Sequence, residues 1–187
     1  MTTESRARHG AGTGWIAGAR RVLSPNCDSR PLGAEVSLIV LHSISLPRGT
    51  YRGDAIERLF TNRLAPAAHA SFADLAGLRV SSHFLVRRAG ELVQFVPLEA
   101  RAWHAGASHW RGRERCNDFS VGIELEGTDE GKFETAQYQI LSVLLKELQR
   151  ILPLRQFAAH SDIAPGRKSD PGAGFNWRRL LAGLSRR

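Results

Sequence analysis

VSLIVLH, residues 36 to 42, is a nearly continuous apolar run rich in branched side chains that ends on a histidine. Such a run predicts a strand over Val36–Leu41 covered on both faces, as in the interior of an α/β sheet. It delivers His42 to the carboxyl end of that strand, where ligands and catalytic groups of open sheets gather.

Further strands and helices are readable on either side. FSVGIELEG, residues 119 to 127, alternates, with Val121, Ile123 and Leu125 on one face and Gly122, Glu124 and Glu126 on the other. SSHFLVRRAGELVQFVP, residues 81 to 97, gives two strand-like runs around Arg88-Ala89-Gly90, a hairpin signal. From Thr135 to Leu152, the apolar positions Tyr138, Leu141, Leu145, Leu148 and Leu152 recur at steps of three and four, predicting a packing helix that Pro153 stops. QFAAH, residues 156 to 160, reads as a short strand that again ends on a histidine, and Asn176 caps a last amphipathic helix, WRRLLAGL. DAIERLF opens on Asp54 with Glu57 three residues on, the pattern of a capping box, and ends near Asn62. Residues 64–78 are Ala-rich and without a period, and residues 99–118 form a long polar connection with two Trp and two His. Strands alternating with helices and one hairpin predict an α/β fold, a mixed β-sheet flanked by helices.

Composition bounds the function. Near-average apolar and charged contents, 42% and 24%, predict one folded domain over residues 14–187, with the polar, Gly-rich residues 1–13 as an unstructured extension. Those thirteen residues hold no apolar run of signal-peptide length, and no later stretch is long enough to cross a bilayer, so a cytoplasmic protein with no membrane partner is expected. Cys27 and Cys116 make no disulfide framework or zinc-type spacing, and two free thiols are expected. The net charge of +8 suits an anionic partner, but the arginines sit in short clusters without interleaved aromatics, which argues against nucleic acid.

HSDIAPGRKSDPG, residues 160 to 172, carries the remaining chemistry. His42, His160 and Asp170 together supply two imidazoles and one carboxylate, a donor set that leaves a zinc ion one position for water. Seven histidines and 18 acidic side chains give spacing alone little power to single out this triple. Lys168 stands two residues before Asp170 and, in an extended segment, shares its side; it reads either as an oxyanion-holding cation or as a surface lysine paired with Asp162 or Asp170. Glu124 lies mid-strand among apolar neighbours, where an ionised carboxylate must be paired or put to use, and it is the preferred general base. Glu126, nearer the turn at Gly127, reads as a solvated strand-end carboxylate.

LHSISLP (41–47), RVSSHFLVRRAGELVQFVP (79–97), RAWHAG (101–106), GRERCNDFSVGIELEGTD (112–129) and HSDIAPGRKSDPG (160–172), in that order, resemble the type 2 N-acetylmuramoyl-L-alanine amidases, and within them the cytosolic members that act on 1,6-anhydro-muropeptides. The resemblance spans about residues 14 to 180. It implies the sheet-and-helix fold shared with peptidoglycan recognition proteins, Zn2+ held by His42, His160 and Asp170, and Glu124 and Lys168 as catalytic residues. The implied substrate is an anhydro-muropeptide, cut by a monomer between the lactyl carboxyl of N-acetylmuramic acid and L-alanine in cell-wall recycling. Arg79 or Arg115 would clamp a stem-peptide carboxylate and Trp103 would lie against the sugar. His69, His83, His104 and His109 are read as structural, with His104 beside Trp103 lining the groove. Ser43 stands where some members carry Asn, and AAHASFADLAG replaces a more aromatic segment. An exported murein amidase and a non-catalytic peptidoglycan-binding protein are the alternatives; a pure binder need not keep all five chemical positions filled.

Overall fold

The structure, a computed structural model, describes residues 14–185, so the extension expected over residues 1–13 lies outside the described residues. Along the chain come β1 (Arg20–Arg21), β2 (Cys27–Ser29), β3 (Leu38–Ile44), α1 (Ala55–Phe60), β4 (Phe84–Val86), β5 (Leu92–Gln94), β6 (Ala100–Ala102), β7 (His109–Trp110), β8 (Arg113–Glu114), β9 (Ser120–Glu126), α2 (Thr135–Ile151), β10 (Gln156–Ala159), α3 (His160–Ile163) and α4 (Trp177–Ser185). The main sheet has the order β1-β5-β4-β9-β3-β10 and is mixed: β3 runs parallel to both β9 and β10, while β4 and β5 form the antiparallel hairpin.

Parallel register positions the site. His42 pairs with Glu124 across β3 and β9, and Ala159 pairs with Leu41 across β10 and β3, so that His160 emerges beside His42. Three chain segments far apart in sequence thus end at one edge of the sheet.

Both sheet faces are packed, which is why β3 is apolar nearly throughout. Ile39 and Leu41 join Val121, Ile123 and Leu125 against Leu141, Leu145 and Leu148 of α2 and Leu180 of α4. Leu38 and Val40 instead join Phe119, Ala158 and Ile163, while Leu85 and Val93 pack on Ile56, Leu59 and Phe60 of α1. Full burial of an aliphatic or aromatic side chain stabilises by roughly 1.5–3 kcal/mol, so these interleaved layers hold the sheet rigid. α2 starts with Glu134 and Gln137 exchanging a capping box and stops at Leu152, held extended before Pro153.

Several boundaries differ from the expectation. β3 runs on to Ile44, because its ladder with β9 continues to the Ile44–Glu126 pair, and His42 lies within it. QFAAH ends as a strand at Ala159, and His160 opens a helical turn in which Asp162 accepts from the Ala159 amide. No capping box forms at α1: Asp54 pairs with Arg58, and Glu57 is drawn away by Arg20 and Arg87. Asn62 does terminate the segment, with φ of 60°. The connection 99–118 is built from β6, paired with β2, and the β7–β8 hairpin. Residues 64–78 form two stretches of 3-10 helix.

Candidate active site

Even-numbered residues of β3 and β9 face away from α2. His42 and Glu124 therefore project to the same side, over the carboxyl ends of the parallel strands. His160, at the start of α3, and Asp170, in the loop beyond it, close the group. His42 Nδ1 lies 2.9 Å from His160 Nδ1 and 3.2 Å from Asp170 Oδ2, and His160 Nδ1 lies 3.1 Å from the same oxygen.

The hydrogen-bond partners dictate which ring nitrogens carry hydrogen. The carbonyl of Ala105 can only accept, so His160 donates to it from Nε2 at 3.2 Å and keeps a lone pair on Nδ1. For His42 the same logic runs through three groups. Ser120 donates its hydroxyl to the Cys116 carbonyl at 2.6 Å and accepts from His104 Nε2 at 3.2 Å. His104 Nδ1 is then an acceptor for His42 Nε2–H at 2.9 Å, which leaves His42 Nδ1 with a lone pair as well.

Two imidazole lone pairs and a carboxylate oxygen thus face one another within hydrogen-bond distance, with no hydrogen to share. That arrangement is repulsive unless a cation sits among the three. Donors about 2.0–2.1 Å from a tetrahedral ion are separated by about 3.3 Å, close to the spacing observed, so the residues present fit a metal ion. Burial reinforces this: it depresses the His42 pKa to about 4, keeping the ring neutral despite the nearby Asp170 carboxylate. Burial opposes ionisation of Asp170, but the close approach of His160 and His42 prevails and holds the carboxyl below its usual range.

Glu124 is 8% exposed, and its Oε2 has no hydrogen-bond partner among the described residues. Burial, and then the charge of Asp170, push its pKa well above the usual carboxyl value, with Lys168 opposing. A buried, partnerless carboxylate oxygen beside a metal-type cluster can take a proton from a nearby donor and release it again. Glu126, expected to be solvated, is instead 2% exposed and bound by Arg87 and the Arg88 amide, which makes it a structural anchor.

A cavity of about 260 Å3 opens over the cluster. His42, His104, Glu124, His160, Lys168 and Asp170 line its polar side, and Leu46, Leu59, Leu75, Leu78 and Val80 its apolar side. Lys168 is exposed and on the cavity, and no ion pair joins it to Asp162 or Asp170 among the described residues. The structure does not bring Arg79, Trp103 and Arg115 into this lining. Arg79 is exposed, beside Leu78 and Val80. Trp103 is half-buried, with its side chain close to Asp28. Arg115 is 70% exposed, lies 3.5 Å from Asp118, and borders a separate depression with His109 and Arg167.

His104, read as structural, touches His42 directly. Its sequence signal was an absence: a Cβ on Gly122 would come within 2.5 Å of the His104 ring, so the missing side chain on β9 is the space that ring fills. His83 is structural, accepting from the Gly122 amide. Some arginines serve the fold itself. Arg30 donates to the carbonyls of Leu98, Asn117, Asp118 and Ser120, and Arg101 pairs with Asp28 and Asp118.

Comparison with known proteins gives a consistent result. A family model described as N-acetylmuramoyl-L-alanine amidase matches residues 32–173. The 1,6-anhydro-N-acetylmuramyl-L-alanine amidase AmpD of Escherichia coli K12 is 51% identical over 175 residues, 92% of this chain and 96% of that one. A crystal structure of a selenomethionine AmpD derivative superposes with a TM-score of 0.91 at 51% identity, covering 93% of this chain and 98% of the other. The E. coli amidase AmiD, solved with anhydro-N-acetylmuramic acid-L-Ala-D-γ-Glu-L-Lys, matches at 32% identity and a TM-score of 0.59 over 82% of this chain and 60% of its own.

Proposed function

The chain belongs to the N-acetylmuramoyl-L-alanine amidase family, and from that premise we propose that it hydrolyses the amide between the lactyl carboxyl of 1,6-anhydro-N-acetylmuramic acid and the L-alanine of a stem peptide, using Zn2+. The observation that carries this reading is the partnerless Oε2 of Glu124, set by strand register beside three converging lone pairs. A protein that only bound muropeptides would gain nothing from burying that carboxyl unpaired.

His42, His160 and Asp170 hold the ion in this reading. Bound zinc supplies Lewis acidity that lowers the pKa of coordinated water to about 7. Glu124 accepts the proton of the attacking water and delivers it to the departing alanine nitrogen. Lys168, at the cavity edge, donates to the carbonyl oxygen as negative charge builds there. The wall of Leu46, Leu59, Leu75, Leu78 and Val80 keeps the reacting amide out of bulk water, which strengthens both interactions. Arg79 and Arg115, exposed outside the cavity lining, meet stem-peptide carboxylates in this reading, and the exposed part of the half-buried Trp103 meets the sugar.

The reading includes a single catalytic domain over residues 14–187, acting as a cytoplasmic monomer in muropeptide recycling. No helix among the described residues is long and apolar enough to cross a membrane. The test is mass spectrometry of products from anhydro-muropeptide and from intact murein, with and without a chelator. Free stem peptide from the small substrate, lost on chelation and restored by zinc, is the expected result. Release from murein alone would favour the exported amidase, and cleavage indifferent to chelation would overturn the metal assignment.

A further inference from the structure

We propose that Asp129 is a positioning residue whose carboxylate joins the two halves of the metal cluster and fixes the distance between them. This rests on reading His42, His160 and Asp170 as the zinc ligands. His42 sits on β3, locked in the middle of the sheet, whereas Asp170 sits in an irregular loop whose residues 165–169 are exposed. A cluster drawn from a rigid and a loose element needs something to set the gap.

Asp129, in the connection from β9 to α2, spans that gap. Its Oδ1 accepts from the hydroxyl of Ser43 at 3.0 Å, and its Oδ2 accepts from the hydroxyl of Ser169. Ser43 directly follows His42, and Ser169 directly precedes Asp170. One planar group with two acceptors a fixed distance apart therefore grips the neighbour of each ligand.

The backbone is seated as closely as the side chain. The Asp129 carbonyl accepts from the Gly174 amide at 3.0 Å. A Cβ on Gly172, where φ is +81°, would fall 2.2 Å from the Asp129 carbonyl oxygen, and one on Gly174 would fall 1.9 Å from the Gly131 oxygen. The ligand loop thus lies main chain on main chain against the loop bearing Asp129, with no room for a side chain between them. Ser161 completes the frame by donating its amide to the Asp170 carbonyl at 3.0 Å. Groups that orient metal ligands typically contribute about 10- to 100-fold in metal affinity.

The experiment uses the full chain stripped of zinc. Zinc affinity is measured by competition with a chromophoric chelator, together with kcat, KM and the melting temperature of the zinc-free form. Asp129→Ala is expected to weaken zinc binding by about 10- to 100-fold and to lower kcat more than it raises KM. Ser43→Ala and Ser169→Ala should each produce part of that loss, and adding Ser169→Ala to Asp129→Ala should add little. Should Asp129→Ala fail to fold, the two serine variants carry the test. Wild-type zinc affinity in Asp129→Ala with only a lower zinc-free melting temperature, or losses from Ser169→Ala that add in full, would overturn the clamp. Wild-type protein that takes up no zinc would instead overturn the ligand assignment beneath it.

Discussion

Glu124 and its neighbour two residues on show what a single side chain reveals about its use. Glu126 is buried with its oxygens bound by Arg87 and the Arg88 amide, while Glu124 is buried with Oε2 unbound. Replacing Glu124 with Gln conserves volume and removes only the ability to carry a proton. Turnover is expected to fall by about 10²- to 10⁴-fold while zinc stays bound, as read by steady-state kinetics beside metal analysis; near-normal turnover would take the base role from this residue. Glu124 was legible in the sequence because an ionisable group interrupts an apolar strand, an arrangement costly without a purpose. Glu126 was misread because its partners come from the β4–β5 hairpin, and nothing local announces a bond formed 39 residues away. The same distance hid Asp129, whose serine partners are 86 and 40 residues off.

Among the elements, β9 makes the strictest demand. Its alternation predicted which residues share a face, but all seven of its positions are buried, because the long connection before it folds back over the even-numbered side. Gly122 is where that connection inserts the His104 ring. Gly122→Ala should therefore displace the ring, break its bond to His42 and destabilise the protein by about 1–3 kcal/mol in urea unfolding. Truncating the ring in the same chain, as His104→Ala, should relieve the clash, and an unchanged midpoint for the single variant would show that the strand can yield. Helices behaved differently under sequence reading. α2 was legible nearly to the residue because its apolar stripe and the proline that stops it are both local signals. The cap of α1 was not, since the tertiary pairing of Glu57 with Arg20 and Arg87 outcompetes a local bond.

For the whole molecule, burying neutral imidazoles couples folding to pH. His42 and His83 are fully buried, with pKa values lowered by burial to about 4 and about 3 from an ordinary 6.5. Below pH 6.5 the unfolded chain binds protons that the native chain refuses until pH 4 or lower, so unfolding free energy falls as pH falls across that window. The slope approaches about 1.4 kcal/mol per pH unit for each such histidine. Urea unfolding of zinc-free protein at pH 7 and pH 5 should show the loss, and equal stability at both would contradict it. Fold class, mixed sheet and flanking helices were all legible, since each strand and helix advertises its own period. The meeting of residues 42, 124 and 160 was legible only through the family resemblance, not from periodicity or spacing, because parallel register is set by the packing of the sheet as a whole.

That register has a consequence for the order of events on the ribosome. His42 of β3 emerges early, but His160 and Asp170, which complete the three-residue cluster, follow only after the last strand, β10, which docks on the outer edge of β3. A nascent chain short of that point lacks both the edge strand and two members of the cluster. With His160 and Asp170 as the proposed ligands, a translation product that stops before the closing loop is expected to be inactive, which an assay of a chain ended at residue 155 would check.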